Sequence, residues 1–257
     1  MRLLILIAIA IGAFIGAPML IVVPMSFSDS QSFAFPPTGY WWGYYKAYFN
    51  NELWTTPTIN SVIIATITMI VTMALVIPAS FSIVRFKFFG RSFVNFLLML
   101  PLMVPHIVLA LAYYSFFGPI GLVNTHAAVV IAHTCLSVPL AFLIVSATLK
   151  GFDRNLERAA MSAGAGPFRT FWHVTLPVLR PGFLVASLFA FIHSFDETVV
   201  AIFIAGRDAS TLPRKMYESV RLETDPVLAV VSTLLFTLVL TGTVIAAATR
   251  RRPSNAT

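Results

Sequence analysis

At 257 residues, with 58% hydrophobic and only 11% charged residues and a mean hydropathy of +0.86, this chain cannot keep a water-facing surface; soluble domains carry about 25% charged residues. Lys and Arg number 17 against 10 Asp and Glu, a net charge of +7. The cations are scattered over short segments between apolar runs, which argues against nucleic-acid binding and for membrane orientation. Cys135 is the single cysteine, so no intrachain disulfide can form.

Six charge-poor runs are long enough to cross a hydrocarbon core of about 30 Å: 3–25, 58–84, 92–117, 126–149, 182–205 and 226–249. They lack the period-two alternation of barrel strands, and backbone in lipid must satisfy its own hydrogen bonds, so the runs predict helices. The fold class expected is an all-α polytopic membrane protein with six transmembrane helices. The first run exceeds the 7–15 apolar residues of a signal core and is expected to be an uncleaved helix, bent or ended on its outer side by Pro18 and Pro24. In the following loop, 26–57, Tyr40, Trp41, Trp42, Tyr44, Tyr45, Tyr48, Phe49 and Trp54 predict a short interfacial helix, with a ligand cage as the alternative. In the third run, Pro105 frees a backbone carbonyl and predicts a kink beside His106, which could face a pathway. His126 and His133 read as interhelical hydrogen-bonders and His173 as packing.

Between the fourth and fifth runs lies a polar insert, ERAAMSAGAGPFRTFWHVTLP, from Glu157 to Pro177. Ala159, Ala160 and Gly164 make a small-residue surface, Gly164 and Gly166 end one short helix, and Pro167 suits the first position of the next. Such a surface facing water is suited to a soluble partner. In the fifth run, His193, Asp196 and Glu197 would fall within an arc of about 100° on a continuous helix, a polar wedge. Two carboxylates in lipid would cost several kcal/mol, so the wedge should face the bundle interior, a water-filled path or a partner subunit; the bland alternative is a structural pair. In the loop from Gly206 to Pro226, Thr211 could cap a helix running from Pro213 to about Leu222.

With both termini in the cytoplasm, that side holds Arg2, Arg85, Lys87, Arg91, Lys150, Arg154, Arg158, Arg169, Arg180, Arg250, Arg251 and Arg252. The outer side holds Lys46, Arg207, Arg214, Lys215 and Arg221. This 12-to-5 split follows the positive-inside rule and puts the insert in the cytoplasm. No phosphate-binding G-x-x-x-x-G-K-[ST] loop, G-x-S-x-G turn or H-E-x-x-H pair is present, so neither an ATP site, a hydrolase site nor a metal site is expected in the chain itself.

The spacing of Ala159 and Ala160, three residues, Gly164, then Val174, Leu176 and Pro177 resembles the cytoplasmic coupling motif of binding-protein-dependent ABC importer permeases. Arg158 stands where that motif usually has glutamate, and Glu157 lies one residue earlier. The resemblance covers about residues 56–250 and implies type I importer architecture: 1–55 as first helix and outer loop, 56–250 as transmembrane domain with coupling helices at about 150–181, and 251–257 as a cytoplasmic tail. It assigns ATPase coupling to Glu157, Arg158, Ala159, Ala160, Gly164, Ala165 and Pro177. The segments FDETVVAIFIAGRD and TLPRKMYESVR are similar to the C-type subunit of spermidine/putrescine permeases, although His106 stands where those often carry a carboxylate. That similarity implies a multi-pass bacterial inner-membrane protein paired with a B-type permease. It also implies two cytoplasmic ATPase subunits that bind ATP and magnesium, and a periplasmic substrate-binding protein. Asp196, Glu197, His193 and His106 would line the substrate pathway. The alternatives are a permease for another small amino-containing solute, or a self-sufficient secondary transporter or channel using Asp196 and Glu197 as ion or proton sites.

Overall fold

The structure, a computed structural model, describes residues 2–30, 35–222 and 225–249. The tail 251–257 and the cations Arg250, Arg251 and Arg252 lie outside them. Among the described residues the regular structure is helical apart from one isolated bridge, Ser28 to Tyr40. The chain forms two compact units, residues 56–215 and the terminal segments 1–55 with 216–257.

In the terminal unit, Arg2–Met25 forms α1, which runs through Pro18 and ends one residue after Pro24. It presents Leu4, Leu6, Phe14 and Leu20 outward, an apolar rod fit for lipid. The aromatic loop yields the expected short helix, α2 (Gly43–Asn50). Phe27 stacks on Tyr45 at 5.1 Å and meets the edge of Trp42 at 4.7 Å, knitting the loop to the helix. Val227–Thr249 forms α12, which packs on α1 and α2. Asp225 caps α12 through the Val227 N–H at 2.9 Å while accepting from the fully buried Trp54 indole, also at 2.9 Å.

In the central unit, α3 (Glu52–Arg85) enters, followed by α4 (Arg91–Met103) and α5 (His106–Phe117). The last two bend by 103°. The expected kink is therefore a break. Val104 is forced extended (φ −100°, ψ 130°) by the following proline, and Pro105 becomes the N-cap of α5. Among the described residues five helices are long and apolar enough to span a membrane, six when the bent pair counts as one.

His126–Lys150 forms α6, the centre of this unit. Its N-terminal half packs Ala128, Val129, Ala132 and Leu136 against Ala110 and Phe117 of α5 and against Val200, Ala201 and Ile204. Its other half packs Ala141, Phe142, Val145 and Leu149 against Val76 and Ile83 of α3 and Leu179, Phe183 and Ala186. Alanines at the contacts let the backbones approach closely, the usual device where lipid supplies no hydrophobic drive between helices. After the insert, Leu176–Asp196 forms α9 and Val199–Ile204 forms α10; α9 packs on α6 more extensively than any other helix pair. Gly182 permits this, since a Cβ there would lie 2.2 Å from Thr148 Oγ1.

The loop after α10 is pinned: Asn60 donates to the carbonyls of Asp208 (3.0 Å) and Ser210 (3.1 Å), and its side-chain oxygen meets His126 Nε2 at 2.9 Å. Helix α11 runs from Leu212 to Leu222, as expected. The expected Thr211 side-chain cap does not form. Its buried hydroxyl has no partner, and the Leu212 N–H is met instead by Ser61 Oγ at 2.7 Å.

Candidate functional site

Two polar sites sit at opposite ends of α9. The first is the insert. Asn155–Ser162 forms α7, Pro167–Thr170 forms α8, and a π-helical turn, Phe171–Thr175, leads into α9. The first short helix and the break fall where the local signals put them, but Gly166 caps the next helix rather than ending the first, and that helix runs on through the π turn into α9 as one stretch from Pro167 to Asp196. Gly164 adopts φ +88°, its N–H reaches the Met161 carbonyl (3.0 Å), and the Ala165 N–H reaches the Ala160 carbonyl (3.1 Å). This is a Schellman ending, which only a residue tolerant of the left-handed region completes without strain.

The two charged residues of α7 point in opposite directions. Arg158 is exposed and, among the described residues, reaches only Asn155, at 3.4 Å. Glu157 turns inward: its oxygens take a two-pronged bond from Arg85 at the end of α3 (2.9 and 3.0 Å) and accept a short hydrogen bond from Thr175. Arg85 is itself seated over Phe81, 4.6 Å from the ring centre. Burial pushes the Glu157 carboxyl up, but the Thr175 and Arg85 hydrogen bonds and the Arg85 and Arg154 charges outweigh it and hold it below the usual carboxylate range. Glu157 thus ties α7 to α3 and to the root of α9 and does not present its carboxylate outward. Ala159, Gly164 and Pro177 are exposed, Ala160 and Ala165 half-buried. Beside them Leu156, Met161, Phe168 (77% exposed) and Trp172 are exposed. Such an apolar patch on a polar insert marks an interaction surface. His173, expected to pack, is exposed, with Nδ1 3.0 Å from the Arg169 carbonyl.

The second site is a cavity of about 430 Å³ that brings together His106, His193, Asp196 and Glu197. The expected wedge on one continuous helix does not exist. α9 ends at Asp196, Glu197 is extended (φ −71°, ψ 116°), and α10 starts two residues later. No proline or glycine causes this; the Glu197 carboxylate does, accepting from the N–H groups of Val200 (3.0 Å) and Ala201 (3.2 Å) and so capping a new helix. The two carboxylates consequently part. Glu197 is buried, with His133 Nε2 at 3.4 Å and His106 Nδ1 at 4.0 Å, whereas Asp196 is exposed to the cavity. His133 is held by Ser194 Oγ (2.9 Å) and His193 lies 3.3 Å from Ser137 Oγ. Arg85, Thr175 and Ser137 carry these sites without having stood out in the sequence, whereas His133 makes the interhelical hydrogen bond read for it.

Comparison with known proteins follows this geometry. Residues 74–253, well over half of the chain, match the family described as "Binding-protein-dependent transport system inner membrane component". The spermidine/putrescine transport system permease protein PotC of Haemophilus influenzae is 26% identical over 228 residues, 88% of each chain. The putrescine transport system permease protein PotI of Escherichia coli is 29% identical over 234 residues, 86% of this chain and 81% of its own. The trehalose transport system permease protein SugB of Mycobacterium tuberculosis is 27% identical over 166 residues, 65% and 61% respectively. The fold matches a chain of a bacterial ABC transporter involved in the import of the acidic polysaccharide alginate, with TM-score 0.75, 13% identity and 96% of each chain covered. The chain therefore belongs to the inner-membrane permease components of binding-protein-dependent ABC importers.

Proposed function

We propose that this permease is the C-type subunit of a polyamine importer and builds half of the translocation path with a B-type permease. Two cytoplasmic ATPase subunits, holding ATP and magnesium, drive it through the insert, and a periplasmic binding protein delivers substrate. The observation that carries the substrate reading is the near full-length similarity to spermidine/putrescine and putrescine permeases, against a shorter match to a trehalose permease.

The geometry supports the same reading. Asp196 offers an uncommitted carboxylate to the cavity, while the Glu197 charge is already met by the α10 N-terminus and the His133 ring. One free acid attracts a polycation yet lets it leave, which a path requires. The exposed patch around Ala159 and Phe168 provides the ATPase contact, on the side where basic residues place the cytoplasm. Reporter fusions after Gly166 should read cytoplasm and those after Asp208 the outer side.

Uptake of labelled putrescine and spermidine by the reconstituted importer tests the substrate. Polyamine-stimulated ATP hydrolysis with uptake is expected. Preference for another amino-containing solute would shift the assignment, and preference for an anionic or neutral one would remove it; both leave the family standing.

A further inference from the structure

A second cavity, of about 570 Å³, lies between α3, α4 and α6 and shares no lining residue with either polar site. Its polar lining is Arg91, Ser92, Asn95, Ser146 and Lys150, with no acidic residue. Arg91 opens α4 and Lys150 closes α6, so both cations stand at the same end of the bundle. Among the described residues neither forms an ion pair. Ser146 Oγ is buried in a residue only 7% exposed and has no hydrogen-bond partner. A buried hydroxyl left unmatched in a cavity that also gathers two cations calls for an acceptor from outside the chain. The α4 cap residue is Gly90, which has no side chain to offer the first turn, and the Arg91 N–H reaches the Phe88 carbonyl at 3.3 Å.

The remaining walls are apolar, Met99, Phe142 and Leu143 among them; α3 and α6 are each long and apolar enough to cross a membrane, and α4 is so together with α5. A ligand filling this space must join an anionic oxygen-rich head to a hydrocarbon body. We propose that the cavity is a binding site for an anionic phospholipid, with its phosphate between Arg91 and Lys150 and its acyl chain along α4 and α6. Basic pockets between transmembrane helices are the expected receptors for such headgroups. A soluble phosphate would satisfy the cations but leave the apolar walls empty.

Native mass spectrometry of the full chain in detergent tests this, titrating phosphatidylglycerol, phosphatidylethanolamine and glycerol phosphate separately. Wild type should retain phosphatidylglycerol in preference to phosphatidylethanolamine. Each cation near an anionic headgroup is worth about fivefold in affinity, so R91Q/K150Q should weaken phosphatidylglycerol about 25-fold and K150Q alone about fivefold. S146V should also weaken it, and Lys46→Gln, which removes a cation elsewhere, should change nothing. If the double variant does not fold, K150Q and S146V decide. Unchanged lipid affinity in the variants, or equal retention of the two lipids by wild type, overturns the proposal. Glycerol phosphate binding as tightly as the lipid would also overturn it, assigning the cavity to a soluble phosphate.

Discussion

Arg85 and Glu157 offer the sharpest perturbation. Their side chains are 15% and 12% exposed and joined by two hydrogen bonds. Removing one member of a buried pair costs about 3–5 kcal/mol because the other is left charged and unmatched. Residual solvent access here relaxes the orphan, so Arg85→Gln should cost about 2–3 kcal/mol. The loss is local, since α7 has eight residues and a helix that short has little stability of its own. Hydrogen exchange at α7 amides should therefore accelerate about 30- to 150-fold while the centre of α6 stays protected. Glu157→Gln should cost less, about 1 kcal/mol, because the amide oxygen still accepts from Thr175 or Arg85. Combining the two changes should recover part of the Arg85→Gln loss, since no buried charge then remains. The pH dependence has a definite sign. With its folded value lowered, Glu157 contributes fully above the ordinary carboxylate value of 4.5, and the contribution is lost as pH falls below that through the folded value. Glu157→Gln should lack this acid-side loss. Exchange in α7 within threefold of wild type in both single variants would refute the anchoring role.

Gly164→Val should cost about 1–3 kcal/mol through backbone strain at φ +88° rather than collision, since open space surrounds the position; ATPase co-purification should fall while membrane insertion persists. Asp196→Asn should slow polyamine uptake with the complex assembled. Glu197→Gln should instead lower yield and thermal stability, because it weakens the α10 cap, and equal phenotypes for the two would contradict the split between them. Gly182→Ala should lower stability by about 1–3 kcal/mol through its clash with Thr148, and Thr148→Ala in the same chain should restore most of it, read from thermal unfolding of the purified protein.

What the sequence made legible is what local chemistry decides. Gly164 and Pro167 set the break in the insert because αL tolerance and a missing N–H act within a few residues. Pro105 marked a kink in the same way, although its angle of 103° depends on what α5 packs against. The direction of Glu157 was not legible: Arg85 lies 72 residues away, and at the end of an apolar run it reads only as an orientation charge. Nor was the break at Glu197, which carries no helix-breaking residue. A carboxylate caps a new helix there because His133, from α6, makes its burial tolerable.

The two polar sites are the ends of one rod. With 21 residues, α9 is about 30 Å long. Thr175, immediately before it, bonds the carboxylate that holds α7, while Asp196 and Glu197 close its far end. Along its length it packs on α6, whose His133 and Ser137 meet Ser194 and His193 behind the cavity wall. A displacement of α7 cannot be absorbed in the insert, because Glu157 is fixed to α3 and to the root of α9 at once. It must tilt α9 against α6 or open the Arg85 to Glu157 bond. The first course moves Ser194 and Glu197 relative to His133, reshaping the cavity where Asp196 is exposed. Rigidity at one end and a carboxylate-capped break at the other suit the proposed coupling: the anchor would carry motion, and the break would give it a place to act.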